Sequence, residues 1–156
     1  SDTHSYIDAD ILKYVKLADE VWHAGDIGDL KVTDAIAKLK PLRAVFGNID
    51  DAKARVEFPL NNRFHCEGVD VLITHIGGYP GRYSPAIRDE IYKNPPRIFI
   101  SGHSHILKVM NDKKRGILHM NPGAIGTHGF HQVRTMLRFE IDGNDIKNLE
   151  VIEFKR

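Results

Sequence analysis

The chain has 156 residues, 42% of them hydrophobic and 28% charged, which is ordinary globular composition and long enough to bury a core. Its 22 basic and 21 acidic side chains leave a net charge of +1, which argues against the clustered positive surface that nucleic acid or an anionic membrane needs. The single cysteine, Cys66, excludes an intrachain disulfide and suits a reducing, cytoplasmic setting. No apolar run reaches the roughly 18 residues of a membrane helix, and nothing resembles a secretory signal.

In chain order, residues 8–18 place Ile11, Leu12, Val15 and Leu17 near helical spacing, with Asp8 or Asp10 in the first turn. A short strand over 20–23 runs into Ala24-Gly25-Asp26. The spacing predicts a second helix over 32–39, capped by Asp29 and stopped before Pro41. Strands over 42–46 and 69–73 end in Gly47-Asn48 and Thr74-His75, and Cys66 falls on a further strand. A glycine-rich insertion, Gly77-Gly78-Tyr79-Pro80-Gly81, precedes a helix over 85–93 that opens on Ser84-Pro85. The strand over 97–100 ends in Ser101-Gly102-His103. Beyond it, strands over 106–110, 117–120, 135–141 and 146–154 are joined by turns at 112–116 and 142–145. The expectation is one α/β domain over residues 1–156 with an antiparallel C-terminal part.

The chemistry lies at the strand ends. Four apolar strands each finish in a glycine or small residue and then a side chain able to bind metal: Asp26, Asn48, His75 and His103. In open α/β sheets ligands gather beyond the carboxyl ends of the strands. Gly25, Gly47 and Gly102 are expected to turn the backbone and draw those side chains together. Asp2 and His4 would join them if a strand preceded Ser1, where the chain opens without a methionine. With His105 the set numbers seven, more than one metal takes and suited to two ions about 3.5–4 Å apart. Asp26 is the candidate bridge, since an ionised carboxylate has two oxygens to share. Carboxylate, amide oxygen and imidazole suit Mn²⁺ foremost, with Fe²⁺, Zn²⁺, Co²⁺ or Ni²⁺ as alternatives, rather than Ca²⁺.

Asp2-Thr3-His4, Gly25-Asp26-Ile27-Gly28-Asp29, Gly47-Asn48-Ile49-Asp50, Thr74-His75 and Gly102-His103-Ser104-His105, in that order, resemble the calcineurin-like metallophosphoesterase signature. Chain length and Asn121-Pro122-Gly123 resemble its small prokaryotic phosphodiesterase branch. The resemblance implies a four-layer α/β/β/α sandwich of two mixed sheets flanked by helices, lacking only the first strand. It implies one metal held by Asp2, His4, Asp26 and His105, and another by Asp26, Asn48, His75 and His103. It also implies a hydroxide between the metals that attacks the phosphorus of a small-molecule phosphoester, with Asp26, Asn48 and His75 at the catalytic core. One position departs from the pattern. Many members carry a histidine after the asparagine of the third motif, as proton donor or transition-state stabiliser, and here that residue is Ile49. Losing a general acid costs about 10²–10⁴ in rate; His128 or His131, in the glycine-rich loop after Asn121-Pro122-Gly123, could replace it.

Several residues have plainer readings. His65 and His119 read as structural, and His23 as structural or as orienting a ligand. Asp29 and Asp50 read as capping or supporting groups, Arg82 as an exposed arginine rather than a phosphate contact, and Lys113-Lys114-Arg115 as a solvated hairpin tip. Three functions follow as expectations: a phosphodiesterase, a phosphomonoesterase, or a non-catalytic scaffold similar in fold to a retromer subunit. A nuclease is disfavoured by the charge balance.

Overall fold

The computed structural model describes residues 1–156. Its element order is α1 (Ala9–Leu17), β1 (Val21–His23), α2 (Lys31–Ala37), β2 (Leu42–Ala44), α3 (Ala52–Glu57), β3 (Asn61–Cys66), β4 (Val69–Thr74), β5 (Gly78–Tyr79), β6 (Arg82–Tyr83), α4 (Pro85–Lys93), β7 (Ile98–Ile100), β8 (Leu107–Asp112), β9 (Ile117–Pro122), β10 (Val133–Asp142) and β11 (Asp145–Lys155). A five-stranded mixed sheet has the order β3-β4-β7-β9-β8, with β4, β7 and β9 parallel and the two outer strands antiparallel.

A second layer is assembled from the parallel pair β1-β2 and the antiparallel ribbon β10-β11. The N-terminal segment bridges them. Asp2 N and His4 N donate to the carbonyls of Gly25 and Asp26, while Ile125 N and Gly126 N donate to those of Ser1 and Asp2. Thr135 N then donates to the Ala124 carbonyl and completes the link to β10.

Side-chain alternation decides what lies between the layers. In β4, Val69, Val71 and Ile73 face one core and Leu72 the other; in β7, Ile98 and Ile100 oppose Phe99. Successive strand side chains point to opposite faces, and a sheet covered on both sides is apolar throughout. The inner core packs β4, β7 and β9 against Ala24, Val45, Leu137, Phe139 and Ile141 of the second layer. Helix α4 covers the outer face of the five-stranded sheet through Ile87 and Ile91. Helices α1 and α2 cover the second layer through Ile11, Val15, Val32 and Ile36. The stacking is therefore α/β/β/α, as the motif resemblance implies. No helix is long and apolar enough to cross a membrane.

Four local features, of which the strand at Cys66 is as expected, have physical reasons. Helix α3 carries a single buried residue, Ala54, so it shows no apolar period; Asp51 starts it by accepting from Ala54 N. Strand β3, which holds Cys66, opens on two asparagines at the sheet edge, where little burial is required. The glycine-rich insertion is a small hairpin, Gly78 paired with Tyr83 and Tyr79 with Arg82. Asp29 does bind the start of α2, accepting from Lys31 N, although Leu30 occupies the cap position.

Candidate metal centre

Strands β1, β2, β4 and β7 end at one edge, and the loops beyond them carry Asp26, Asn48, His75 and His103. Asp2 and His4 arrive from the N-terminal segment, and His105 follows His103 in the turn before β8. All seven side chains are brought together. Donor atoms of Asp2, His4 and His105 lie within 4.8 Å of one another, as do those of Asp26, His75 and His103. Asp26 faces both groups: Oδ2 is 3.4 Å from His4 Nε2 and Oδ1 is 3.2 Å from His75 Nε2. Asn48 Oδ1 lies 3.0 Å from both His75 Nε2 and His103 Nδ1.

Proton bookkeeping shows what the cluster lacks. His75 Nδ1 is 2.7 Å from the Ala24 carbonyl, which can only accept, so Nδ1 carries the hydrogen. In the neutral ring Nε2 then presents a lone pair to Asp26 Oδ1 and Asn48 Oδ1, two further acceptors. None of the three brings a hydrogen to their meeting point, and only Asp26 Oδ1 is served from outside it, by Ile49 N; a proton or a cation between them relieves the arrangement. Across the cluster, Asp2 Oδ1 and His4 Nε2 are buried and make no well-formed hydrogen bond, with only His105 Nε2 at 3.3 Å and Asp26 Oδ2 at 3.4 Å facing them. Unpaired buried polar atoms are rare and costly, and a divalent ion satisfies both. The residues fit the metals that their motifs imply.

Charge follows the same geometry. Burial alone would raise the Asp2 carboxyl, but the contact with His105, then the adjoining N-terminal ammonium and His75, hold it down at about 2. Burial likewise acts against ionised Asp26, and the contact with His75 outweighs it, so its pKa is lowered. Burial opposes protonation of His75, yet Asp26 and Asp2 raise its pKa, whereas at His4 burial wins and the pKa falls. Both carboxylates are therefore ionised at neutral pH, the state in which they ligate.

The turns that deliver these ligands differ from the expectation about glycine. Asp2, His4, Asp26, His103 and His105 themselves adopt φ between +43° and +69°, the left-handed region that costs a non-glycine residue on the order of 1 kcal/mol or more. Of the three glycines beside the ligands, only Gly25 lies there, at +96°. Gly47 and Gly102 serve by leaving room: a Cβ on Gly47 would collide with Asp26, and one on Gly102 with Ser1 and Asp2.

A supporting shell holds the loops. Thr3 Oγ1 donates to the Ile27 carbonyl and accepts from His23 Nε2, whose Nδ1 in turn accepts from Gly25 N. This pattern requires a neutral His23, and burial pushes its pKa well below the usual value. Asn121 Nδ2 donates to the Gly102 carbonyl and Ser104 Oγ, fixing the His103–His105 turn. Sequence reasoning did not assign Thr3 or Asn121 these roles; the Asn-Pro-Gly that follows the last motif was the only signal.

Asp50 has the largest share, accepting from the backbone N–H of Ile27, Gly28 and Gly47. Asp50→Ala strands these donors, each worth about 1–3 kcal/mol when left unpaired in a buried place. We expect at least about 3 kcal/mol of destabilisation, read from the urea midpoint of the metal-free protein; a change under about 1 kcal/mol contradicts the assignment.

The remaining candidates are placed as follows. His128 is exposed and stacks on His4 with ring centroids 4.5 Å apart. His131 Nε2 is bonded to the Gly126 carbonyl at 2.8 Å. Ile49 is largely exposed at the mouth, and Arg82 is exposed on its hairpin. His119 is buried with Nδ1 on the Phe99 carbonyl, as a structural histidine would be. A cleft of about 310 Å³ lies at the other ends of β4 and β7, but its Asp70 and Arg115 are already paired with Arg63 and Asp112.

The family model of the calcineurin-like phosphoesterase superfamily domain matches residues 1–144, and the chain belongs to that superfamily. Its members are generally phosphoester hydrolases that bind divalent metals. No curated protein matches the chain. Among solved structures it is similar to Vps29 complexed with Zn²⁺ from Entamoeba histolytica, at 15% identity and TM-score 0.74, covering 99% of this chain and 95% of that one. It is also similar to a conserved uncharacterized protein, a predicted phosphoesterase, from Streptococcus pneumoniae TIGR4 (21% identity, TM-score 0.67, 99% and 94% covered). A novel archaeal phosphodiesterase aligns at 17% identity and TM-score 0.66 over 91% of each chain. At these identities the likeness is one of fold.

Proposed function

We propose that this protein is a metal-dependent phosphodiesterase that binds two divalent ions, Mn²⁺ foremost, and hydrolyses small phosphate diesters. The observation that carries the reading is the convergence of the seven ligand side chains in two groups, with Asp2 Oδ1 and His4 Nε2 buried in them without a well-formed hydrogen bond. When bound, the two ions acidify a water and absorb charge on the phosphoryl oxygens. The chain's own residues do the rest. Asp2, His4 and His105, with Asp26, hold one ion; Asp26, Asn48, His75 and His103 hold the other. Ala24 fixes the His75 tautomer, and Asp50 fixes the loops bearing Asp26 and Asn48. His128 is the proton donor that takes the place of the side chain absent at Ile49. Its exposure and its stack on His4 support it over His131, whose Nε2 is tied to Gly126.

Esters with good leaving groups depend least on that proton, so they report the metal-dependent step most directly. The test uses protein stripped with chelator and reloaded with Mn²⁺. We expect it to hydrolyse bis(p-nitrophenyl) phosphate faster than p-nitrophenyl phosphate, and to lose both activities in excess chelator. A faster monoester makes it a phosphomonoesterase. Turnover of neither ester would leave the scaffold reading, which the exposed apolar rim of Ile49, Ile76, Ile106 and Phe130 favours.

A further inference from the structure

Beside the ligand cluster lies a second cavity, about 240 Å³, between the β5–β6 hairpin and the turn that carries His103. His103 belongs to both, so a phosphoester held by the metals has an adjoining space for one of its organic groups. The size is selective. A cavity of about 150 Å³ accommodates benzene, whereas drug-sized ligands need about 300–1,000 Å³. A single ring fills it, and a larger group would have to extend past its mouth.

The walls suit a ring as well. Ile76 and Ile106 stand at the mouth, 45% and 61% exposed. Large apolar side chains left in water beside a reactive cluster mark a surface that something covers. On the same wall, the Lys108 ammonium sits 3.8 Å from the centroid of the Tyr79 ring and has no carboxylate partner. A cation already resting on one aromatic face can attract a second from its open side.

We propose that this cavity is the subsite for the organic group of the substrate, and that the group is a single aromatic ring. Ile76 and Ile106 take its faces or edges, and Lys108 distinguishes it from an aliphatic ring of equal size. The proposal rests on the phosphodiesterase reading and specifies the substrate class of the same site.

Non-hydrolysable phosphonates test it by calorimetry on the Mn²⁺-loaded protein. Phenylphosphonate is expected to bind at least about tenfold tighter than methylphosphonate, from apolar burial, and about threefold tighter than cyclohexylphosphonate, from the cation–ring term. Ile76→Ser combined with Ile106→Ser should remove most of the phenyl-over-methyl preference, and Lys108→Met the phenyl-over-cyclohexyl preference. Val56→Ser, at an even more exposed apolar position on α3, should alter neither. Equal binding of phenyl- and methylphosphonate overturns the subsite while leaving the phosphodiesterase reading in place. If no phosphonate binds at all, the phosphoester reading itself falls, and the subsite with it.

Discussion

Asp26→Asn is expected to lower Mn²⁺-dependent diester hydrolysis by at least about 10³-fold with an unchanged circular dichroism spectrum. Asp26 faces both ligand groups with separate oxygens, Oδ2 toward His4 and Oδ1 toward His75, whereas Asp2 comes only to 4.0 Å of His75 and through the oxygen that already faces His105. Asparagine keeps an oxygen that can still accept from Ile49 N, so the loop contact survives. It presents an amide NH₂ to the other group, however, and removes the negative charge. A bound metal contributes several kcal/mol to such a reaction, and about 4 kcal/mol corresponds to the stated factor. Steady-state kcat/KM measured with the metal content of the same sample checks this. Activity within tenfold of wild type, at two bound ions, would show that Asp26 does not bridge.

Gly47→Ala should damage the centre nearly as much through geometry alone. The added methyl would overlap both the backbone nitrogen and the carboxylate of Asp26. Because one of those atoms is main chain, no rotamer change relieves the collision. Overpacking of this kind costs about 1–3 kcal/mol, and displacing a ligand's support weakens metal affinity about 10–100-fold. Gly116→Ala is the contrast: at φ +69° it carries backbone strain of about 1–2 kcal/mol, but nothing lies within 4 Å of its Cβ. Thermal unfolding and Mn²⁺ titration of the two variants separate the cases. Gly47→Ala should lose stability and affinity together, and Gly116→Ala stability only. Wild-type affinity in Gly47→Ala contradicts the packing described for Asp26.

Much of this centre could be read in the residues before any coordinates. Strand β7 and the Val71–Ile73 part of β4 announce themselves as apolar runs because both faces are buried, and each is followed within three residues by the side chain it delivers. The pairing of those strands is a different matter. Nothing in Val21-Trp22-His23 or Leu42-Arg43-Ala44 says that they lie parallel and apart from the five-stranded sheet, because that depends on which core each face meets. Asp2 was the hardest ligand to recognise. An aspartate near a chain end is usually solvated, and its complete burial comes from backbone hydrogen bonds to Gly25 and Gly126, far off in sequence. Backbone strain was equally hidden: glycines drew attention as the turning points, while five of the ligands carry the left-handed conformation themselves. The cavity beside His103 had no signature, since Tyr79 and Lys108 meet only after the hairpin folds over β8.

The decisive question is whether the two ligand groups grip a pair of cations. Chelator-treated protein titrated with Mn²⁺, followed by elemental analysis and electron paramagnetic resonance, answers it. Two ions per chain with an exchange-coupled signal are expected, since ions sharing the Asp26 carboxylate would lie about 3.5–4 Å apart. A single uncoupled ion, or none at saturating Mn²⁺, would contradict the paired centre.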